Sequence, residues 1–383
     1  MLIAVAGAIA LVVAMGIGRF AFTPILPLMM DEGSVSIASG GMLASANYIG
    51  YFIGAFGATF IRIRPARAIP LGMLLTGVVT VAMALHLPVA AWLALRCMAG
   101  VASAFVLIAV SSWSLNALAS YGRPSLSGVV FAGVGIGIAT TGLTCLLLAR
   151  LHGTASASWL AIGGLAILLT VVVWRWYPEP AGAPRAAGSA AAAADTWNIQ
   201  AIWLILAYGL FGFGYIIPAT FLPVMARSSL PDPSMSAWSW PLFGAFAAMS
   251  VLLAGPLARR FGNRRLWAAC HVILAAGVAL PALFHGLLPV FLAALCVGGT
   301  FMIITLAALQ EAKSVSPDRP AALIAAMTSA FALGQILGPL AVPFLSHGSG
   351  DFTLVLLISA GLMIGSAAIL LKAPVGSPGK GKR

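Results

Sequence analysis

Acidic residues are scarce in this chain. Only 8 Asp and Glu occur among 383 residues, against 20 Lys and Arg, and all charged residues together make up 7%. A soluble domain carries about a quarter of its residues as charges, because its surface faces water. So small a share cannot cover a soluble surface, and lipid must be the solvent over most of the area. Histidine is also sparse, with 5 scattered residues. No H-E-x-x-H motif and no G-x-x-x-x-G-K loop is present, which leaves a membrane enzyme and a nucleotide-driven pump without support. The cysteines Cys97, Cys145, Cys270 and Cys296 all lie inside apolar runs. That placement is neither a disulfide framework nor a zinc site, so they read as packing residues. No basic stretch precedes the first apolar run, so a cleaved signal peptide is not expected, and the run is long enough to stay as a span.

What is abundant is apolar. Hydrophobic residues make up 61% of the chain, and the mean hydropathy is +1.07. In lipid every backbone polar group must be satisfied internally, which restricts the chain to helices or a closed barrel. The apolar runs reach roughly 20 residues, not the ten-residue alternation of barrel strands, so helices are expected. Spans are placed at 2–28, 36–60, 69–86, 89–116, 126–149 and 157–177, and again at 198–226, 236–257, 267–285, 287–310, 320–345 and 352–371. The expected fold is therefore an all-α membrane protein, with twelve transmembrane helices in two six-helix halves, 1–177 and 198–371. A Pro/Ala/Gly-rich segment, 178–197, reads as a flexible linker, and 372–383 as a basic tail.

The basic residues lie mostly on one side of this arrangement. The side of the loop between spans 2 and 3 holds Arg62, Arg64, Arg67, Arg123, Arg175, Arg185, Arg259, Arg260, Arg264, Arg265, Lys313, Arg319, Lys372, Lys380, Lys382 and Arg383. The other side has only Arg150 and Arg227. Sixteen against two predicts both termini and the linker to be cytoplasmic, as in a multi-pass protein of the bacterial inner membrane. Basic residues placed in short loops explain the net charge of +12 without any nucleic-acid partner. The expected partners are the bilayer and a small-molecule solute, with the chain as a monomer, no cofactor and no metal.

The two halves echo each other. The first span carries Gly16-Ile17-Gly18-Arg19-Phe20, followed by Pro24 and Pro27. The seventh carries Gly212-Phe213-Gly214-Tyr215-Ile216, followed by Pro218 and Pro223. Span 4 reads Arg96-Cys97-Met98-Ala99-Gly100, and span 10 reads Leu295-Cys296-Val297-Gly298-Gly299. Duplication of this kind places a substrate site near the midplane between the halves. Gly and Pro in the first span of each half are expected to weaken the helical ladder where a cavity must be gated, which marks Pro24 and Pro218.

After span 8 the chain reads Gly255-Pro256-Leu257-Ala258-Arg259-Arg260-Phe261-Gly262-Asn263-Arg264-Arg265. This resembles the cytoplasmic loop signature G-x-x-x-D-R-x-G-R-R of the major facilitator superfamily, with Arg259 where the acid usually stands. The 2–3 loop, from Gly57 to Arg67, is a poorer copy that also lacks the acid. Arg96 and Gly100 resemble the family's R-x-x-x-G motif, and the glycines of span 5 resemble its glycine-rich helix without the Gly-Pro pair. The opening Gly-Ile-Gly-Arg-Phe-Ala-Phe-Thr-Pro and Ala46-Asn47-Tyr48-Ile49-Gly50-Tyr51 are similar to the YbfB/YjiJ-like branch. The resemblance implies a secondary transporter and gives Gly255, Arg259, Arg260, Gly262, Arg264 and Arg265 a conformational role. The missing acids put the usual charge latch in doubt.

Ionisable residues inside a bilayer are costly and usually functional. Arg19 in span 1 and Arg96 in span 4 qualify, and the resemblance implies that both spans line a central cavity. A guanidinium keeps its charge and offers a planar fork to carboxylate or phosphate, so an anionic substrate is expected. Two other readings stand beside this: Arg96 pairing with backbone carbonyls, and Arg19 snorkelling outward along its stem. No Asp or Glu lies in a span core, which lowers cationic substrates. Asn47 and Tyr51 in span 2, Tyr208 and Tyr215 in span 7, Gln335 in span 11 and Asn116 near the inner end of span 4 are candidates to complete the cavity. Trp238 and Trp240 fit an interfacial belt, and His271 fits a packed residue. Export of a neutral or hydrophobic compound is the alternative function. A non-transporting sensor or assembly protein is the alternative of another class.

Overall fold

The computed structural model describes residues 1–58, 60, 64–177, 198–229, 233–346 and 351–372. The expected linker 178–197 and the tail beyond Lys372 lie outside them, as do Arg62, Arg185, Lys380, Lys382 and Arg383. The described residues form helices and no strands. In order these are α1 (Leu2–Leu11), a π-helical segment (Val12–Ile17), α2 (Phe22–Asp31), α3 (Ile37–Gly57), α4 (Pro65–Ala82), α5 (Val89–Ser120), a short 3-10 turn (Pro124–Leu126), α6 (Ser127–Arg150) and α7 (Ala155–Val173). Then come α8 (Ile199–Ser229), the short α9 (Pro233–Ser236), α10 (Ser239–Phe261), α11 (Asn263–Leu283), α12 (Leu287–Val315), α13 (Pro320–Leu345) and α14 (Thr353–Lys372).

Among the described residues eleven helical stretches are long and apolar enough to cross a membrane, with Leu2–Asp31 counted as one. The long helix outside that group is α3. Its Ser39, Ser45, Asn47, Tyr48 and Tyr51 lower its hydropathy; it packs between α5 and α13 and leaves Met42, Ile49, Ile53 and Phe56 exposed on its other face. Boundaries moved where local chemistry overrides the apolar count. The third span starts at Pro65, not 69, because proline is preorganised for the first helical position. A Ser36–Ser39 capping box starts α3.

Helices α1–α7 pack among themselves, as do α8–α14. The two sets meet along α3 with α13, α6 with α10, and α2 with α8. Glycine sets how closely some of these pairs approach. A Cβ on Gly100 would lie 2.0 Å from the Asn47 carbonyl oxygen, so only glycine lets α5 touch α3 backbone to backbone. Between the sets, a Cβ on Gly135 of α6 would lie 2.2 Å from the Ala248 nitrogen of α10.

Candidate functional site

The centre of the molecule is organised by a break in the first span. From Val12 to Ile17 the backbone is π-helical, and residues 18–21 follow as a turn before α2 begins. The Gly18 and Phe20 amides reach back five residues, to the Val13 and Met15 carbonyls, and the Thr23 amide bonds to the Phe20 carbonyl. The carbonyls of Gly18 and Arg19 thereby lose their partners along the helix. A freed carbonyl buried in a bilayer must be satisfied by a neighbour.

Asn47 and Arg96 supply that neighbour. The Asn47 amide nitrogen donates to Gly18 O at 3.2 Å and to Arg96 O at 2.9 Å. The Arg96 guanidinium donates to Leu43 O (3.4 Å), Gly18 O (3.4 Å) and Arg19 O (3.2 Å), and lies 4.8 Å over the Phe22 ring. Arg96 is thus surrounded by backbone carbonyls, and it clamps the broken span to α3.

Arg19 is held differently. It is 3% exposed, and its Nε and Nη2 have no hydrogen-bond acceptor. Its guanidinium carbon lies 5.3, 5.1 and 4.5 Å from the ring centres of Phe20, Tyr48 and Tyr51. The electron-rich ring faces replace part of the lost hydration. No Asp or Glu is buried among the described residues, so no carboxylate shares its pocket.

The second set of helices contributes an aromatic wall. Tyr215 stacks on Phe301 (5.8 Å, 4°), Phe331 (5.6 Å, 10°) and Phe211 (4.9 Å, 27°), and Tyr208 stacks on Phe331 at 4.8 Å. Gln335 donates its Nε2 to the Tyr215 hydroxyl at 2.6 Å, while its buried Oε1 has no donor. A run of rings joins the wall to the first set: Phe20 lies 6.3 Å from Trp240, Trp240 4.8 Å from Phe243, and Phe243 5.6 Å from Phe301.

One end of the seam between the sets is sealed. Proline has no N–H, so Pro223 leaves the Ala219 carbonyl without its helical donor. Thr23 Oγ1 of the other set donates to it at 2.9 Å. Ser45 Oγ donates to Ile336 O at 2.8 Å, Tyr48 and Thr220 share their hydroxyls at 3.2 Å, and Asp31 pairs with Arg227. Pro24, Cys145, Pro223, Arg227 and Trp240 line a small, partly open cavity of about 30 Å³ at this end.

The structure groups Arg19 with Tyr51, and Asn47 with Arg96 as a clamp, at the helix break, and it groups Tyr215 with Gln335 on the aromatic wall. Pro24 lies at the sealed end, and Pro218 lies inside α8, which runs unbroken where the matching first span is interrupted. Gly262 joins α10 to α11 at φ +79°, a backbone setting that favours glycine. Around it Arg259, Arg260 and Arg265 are exposed, Gly255 is exposed beside Arg259, and Arg264 is buried with its Nε 3.9 Å from Glu311 of α12. Asn116 is exposed near the end of α5, outside the site. His271 is packed, accepting a hydrogen bond from Trp267 at 3.0 Å. Trp240 corrects the belt expectation: it is fully buried, 4.8 Å from Phe243 and 6.3 Å from Phe20 of the other set. Sequence reasoning missed Phe301 and Phe331, whose apolar rings carry no signal in a chain that is apolar throughout. Tyr48 and Thr220 were legible only as polar groups inside spans.

A bundle of membrane-length helices closed over an interior arginine and an aromatic wall is the build of a membrane transporter. The chain belongs to the major facilitator superfamily, in the family described as uncharacterised MFS-type transporter YbfB, whose model matches residues 11–371. Among solved structures it is similar to a mutant of the nucleoside transporter NupG, at 16% identity over 96% of this chain and 99% of that one, with a TM-score of 0.75. A second NupG structure matches at 16% identity over 98% and 100%, with a TM-score of 0.71. At that identity the likeness is one of fold. No curated protein sequence matches the chain.

Proposed function

We propose that the chain is a secondary transporter that carries a small anion by alternating access, with Arg19 as the group that holds it. The observation that carries this reading is the Arg19 guanidinium, buried with two nitrogens lacking acceptors and no buried carboxylate near it. A charge in such a setting is costly unless paired, and a bound anion supplies the pair. Arg96 acts on the substrate only through Arg19, by fixing the backbone that carries it.

The proposed architecture is twelve spans in two six-helix halves, with α3 as the twelfth. A shift by six spans turns the contact of span 2 with span 11 into that of span 8 with span 5, and these are the α3–α13 and α6–α10 pairs. Such exchange supports a duplicated transporter with its site on the pseudo-symmetry axis. The sixteen-to-two charge bias supports cytoplasmic termini in a bacterial inner membrane. The sealed Asp31–Arg227 end then faces outward, and opening it requires exchanging the four cross-half contacts there. The exposed arginines around Gly262 lie at the opposite face, where the proposal gives them a conformational role.

Thermal stabilisation and proteoliposome flux with a panel of small anions test the reading in the parent chain and in Arg19→Gln and Arg19→Lys. Anion-dependent flux lost in Arg19→Gln is the expected result. Equal binding in all three refutes the clamp, and the absence of flux for every solute favours a sensor. The aromatic wall favours a second reading, a neutral flat solute of the kind named for NupG. A nucleoside in the same panel distinguishes the two, since its binding would not depend on Arg19.

A further inference from the structure

The site has a second end, and its chemistry differs from the first. Gln335 is 1% exposed and commits its Nε2 to the Tyr215 hydroxyl, so its orphan Oε1 is an acceptor in want of an N–H or O–H. Arg19 presents the reverse, N–H groups in want of an acceptor. A buried polar group left without a partner costs about 1–3 kcal/mol, so a ligand that satisfies both ends is favoured over one that satisfies either. Next to Gln335 stands Tyr215, whose neighbours Phe301 and Phe331 lie within 10° of its ring plane. Parallel ring faces favour a flat partner that can add to the stack. Of the two cations here, Arg96 is surrounded by carbonyls, whereas Arg19, which bonds to Tyr51, keeps two nitrogens without acceptors. One charge balances a monoanion and leaves a dianion undercompensated in a low dielectric.

Building on the anion reading above, we propose that the substrate is an aromatic monocarboxylate bearing a hydrogen-bond donor at its far end. Its carboxylate lies on Arg19, its ring against the Tyr215–Phe301–Phe331 stack, and its donor on Gln335 Oε1. Nothing covalent changes during transport; the site recognises and releases the intact molecule.

The probes are benzoate, 4-hydroxybenzoate, 4-methoxybenzoate, cyclohexanecarboxylate, inorganic phosphate and a nucleoside, measured by calorimetry and by flux with the full chain in nanodiscs and liposomes. Binding of 4-hydroxybenzoate should exceed that of benzoate about tenfold, or about 1.4 kcal/mol, and 4-methoxybenzoate should gain nothing. Gln335→Leu should erase the preference for the hydroxyl, bringing the ratio of 4-hydroxybenzoate to benzoate affinity down to about one. Should that variant fail to fold, the unmodified chain's ranking of the hydroxy and methoxy compounds decides the point. If cyclohexanecarboxylate or phosphate binds as well as the aromatic acids and still requires Arg19, this inference falls and the anion reading stands. A methoxy compound matching the hydroxy compound also overturns it. Binding of the nucleoside alone, indifferent to Arg19→Gln, removes both.

Discussion

Two arginines buried about the same helix break should respond to truncation with opposite signs. Arg96→Met keeps much of the stem volume but withdraws donors from Leu43 O, Gly18 O and Arg19 O. Interhelical hydrogen bonds in membranes are worth about 0.6 kcal/mol each, so the three together give about 2 kcal/mol. Two of these carbonyls belong to the broken segment: Gly18 O keeps its bond from Asn47, but Arg19 O is left unpaired in a water-free interior, which raises the loss to about 2–4 kcal/mol. Arg19→Met instead removes a charge that has two idle nitrogens and no buried carboxylate. Placing an arginine at the centre of a spanning helix costs about 2.5–3.5 kcal/mol, and the surrounding rings return about 0.5–2 kcal/mol. Its removal should therefore raise stability by about 0.5–3 kcal/mol. Thermal unfolding in one detergent, followed by tryptophan fluorescence without substrate, compares both variants with the parent. Arg19→Met should melt at or above the parent and bind no anion; Arg96→Met should melt several degrees below it. If Arg19→Met falls as far as Arg96→Met, Arg19 is structural. If Arg96→Met melts with the parent yet loses binding, the clamp assignment is wrong.

Other outcomes follow from single contacts. Neutralising the Asp31–Arg227 pair by Asp31→Asn should loosen the sealed end, and Cys145, 5% exposed beside Arg227, reports it. Its labelling by a membrane-impermeant maleimide should rise several-fold in intact cells, with no rise refuting the gate. Thr23→Val should lose about 0.6 kcal/mol through the Ala219 carbonyl, and much less when combined with Pro223→Ala, which restores that carbonyl's helical donor; full additivity in the double-mutant cycle would contradict the account. Gly100→Val should abolish folded protein on size-exclusion chromatography, because a Cβ there falls 2.0 Å from the Asn47 oxygen. A well-folded Gly100→Val would mean that α3 and α5 do not touch there.

The spans were legible because hydropathy is counted over twenty residues and tolerates local error. Ends were less so: Pro65 extends α4 backward, and Gly262 lets α10 run to Phe261 before α11 restarts at once. The glycines around Arg19 announced weakness in the first span. They did not say that a π-helical segment would result, nor that α8, with its own Gly and Pro, would stay continuous. That difference depends on side chains far along the chain. Asn47 and Arg96 satisfy the broken segment from 29 and 78 residues away, a relation no local pattern encodes. The polar members of the site could be seen because polarity is rare here, whereas Phe301 and Phe331 are two apolar residues in a chain that is 61% hydrophobic. Trp240 was misplaced because nearness to a span end says nothing about which side of the helix faces a neighbour.

The break at Arg19 also bears on how the protein comes into being. The first span enters the bilayer before the spans bearing Asn47 and Arg96 have been synthesised, and at that moment nothing is present to receive its Gly18 and Arg19 carbonyls. An uninterrupted helix would pair those two carbonyls within the segment itself, with the Phe22 and Thr23 amides. On this argument the broken form belongs to the finished bundle, and Arg19 reaches its place only after the span bearing Arg96 has arrived. Ribosome-bound chains stopped before and after residue 120 should differ in the accessibility of a cysteine placed at position 19, so that the maturation of the site can be timed against synthesis.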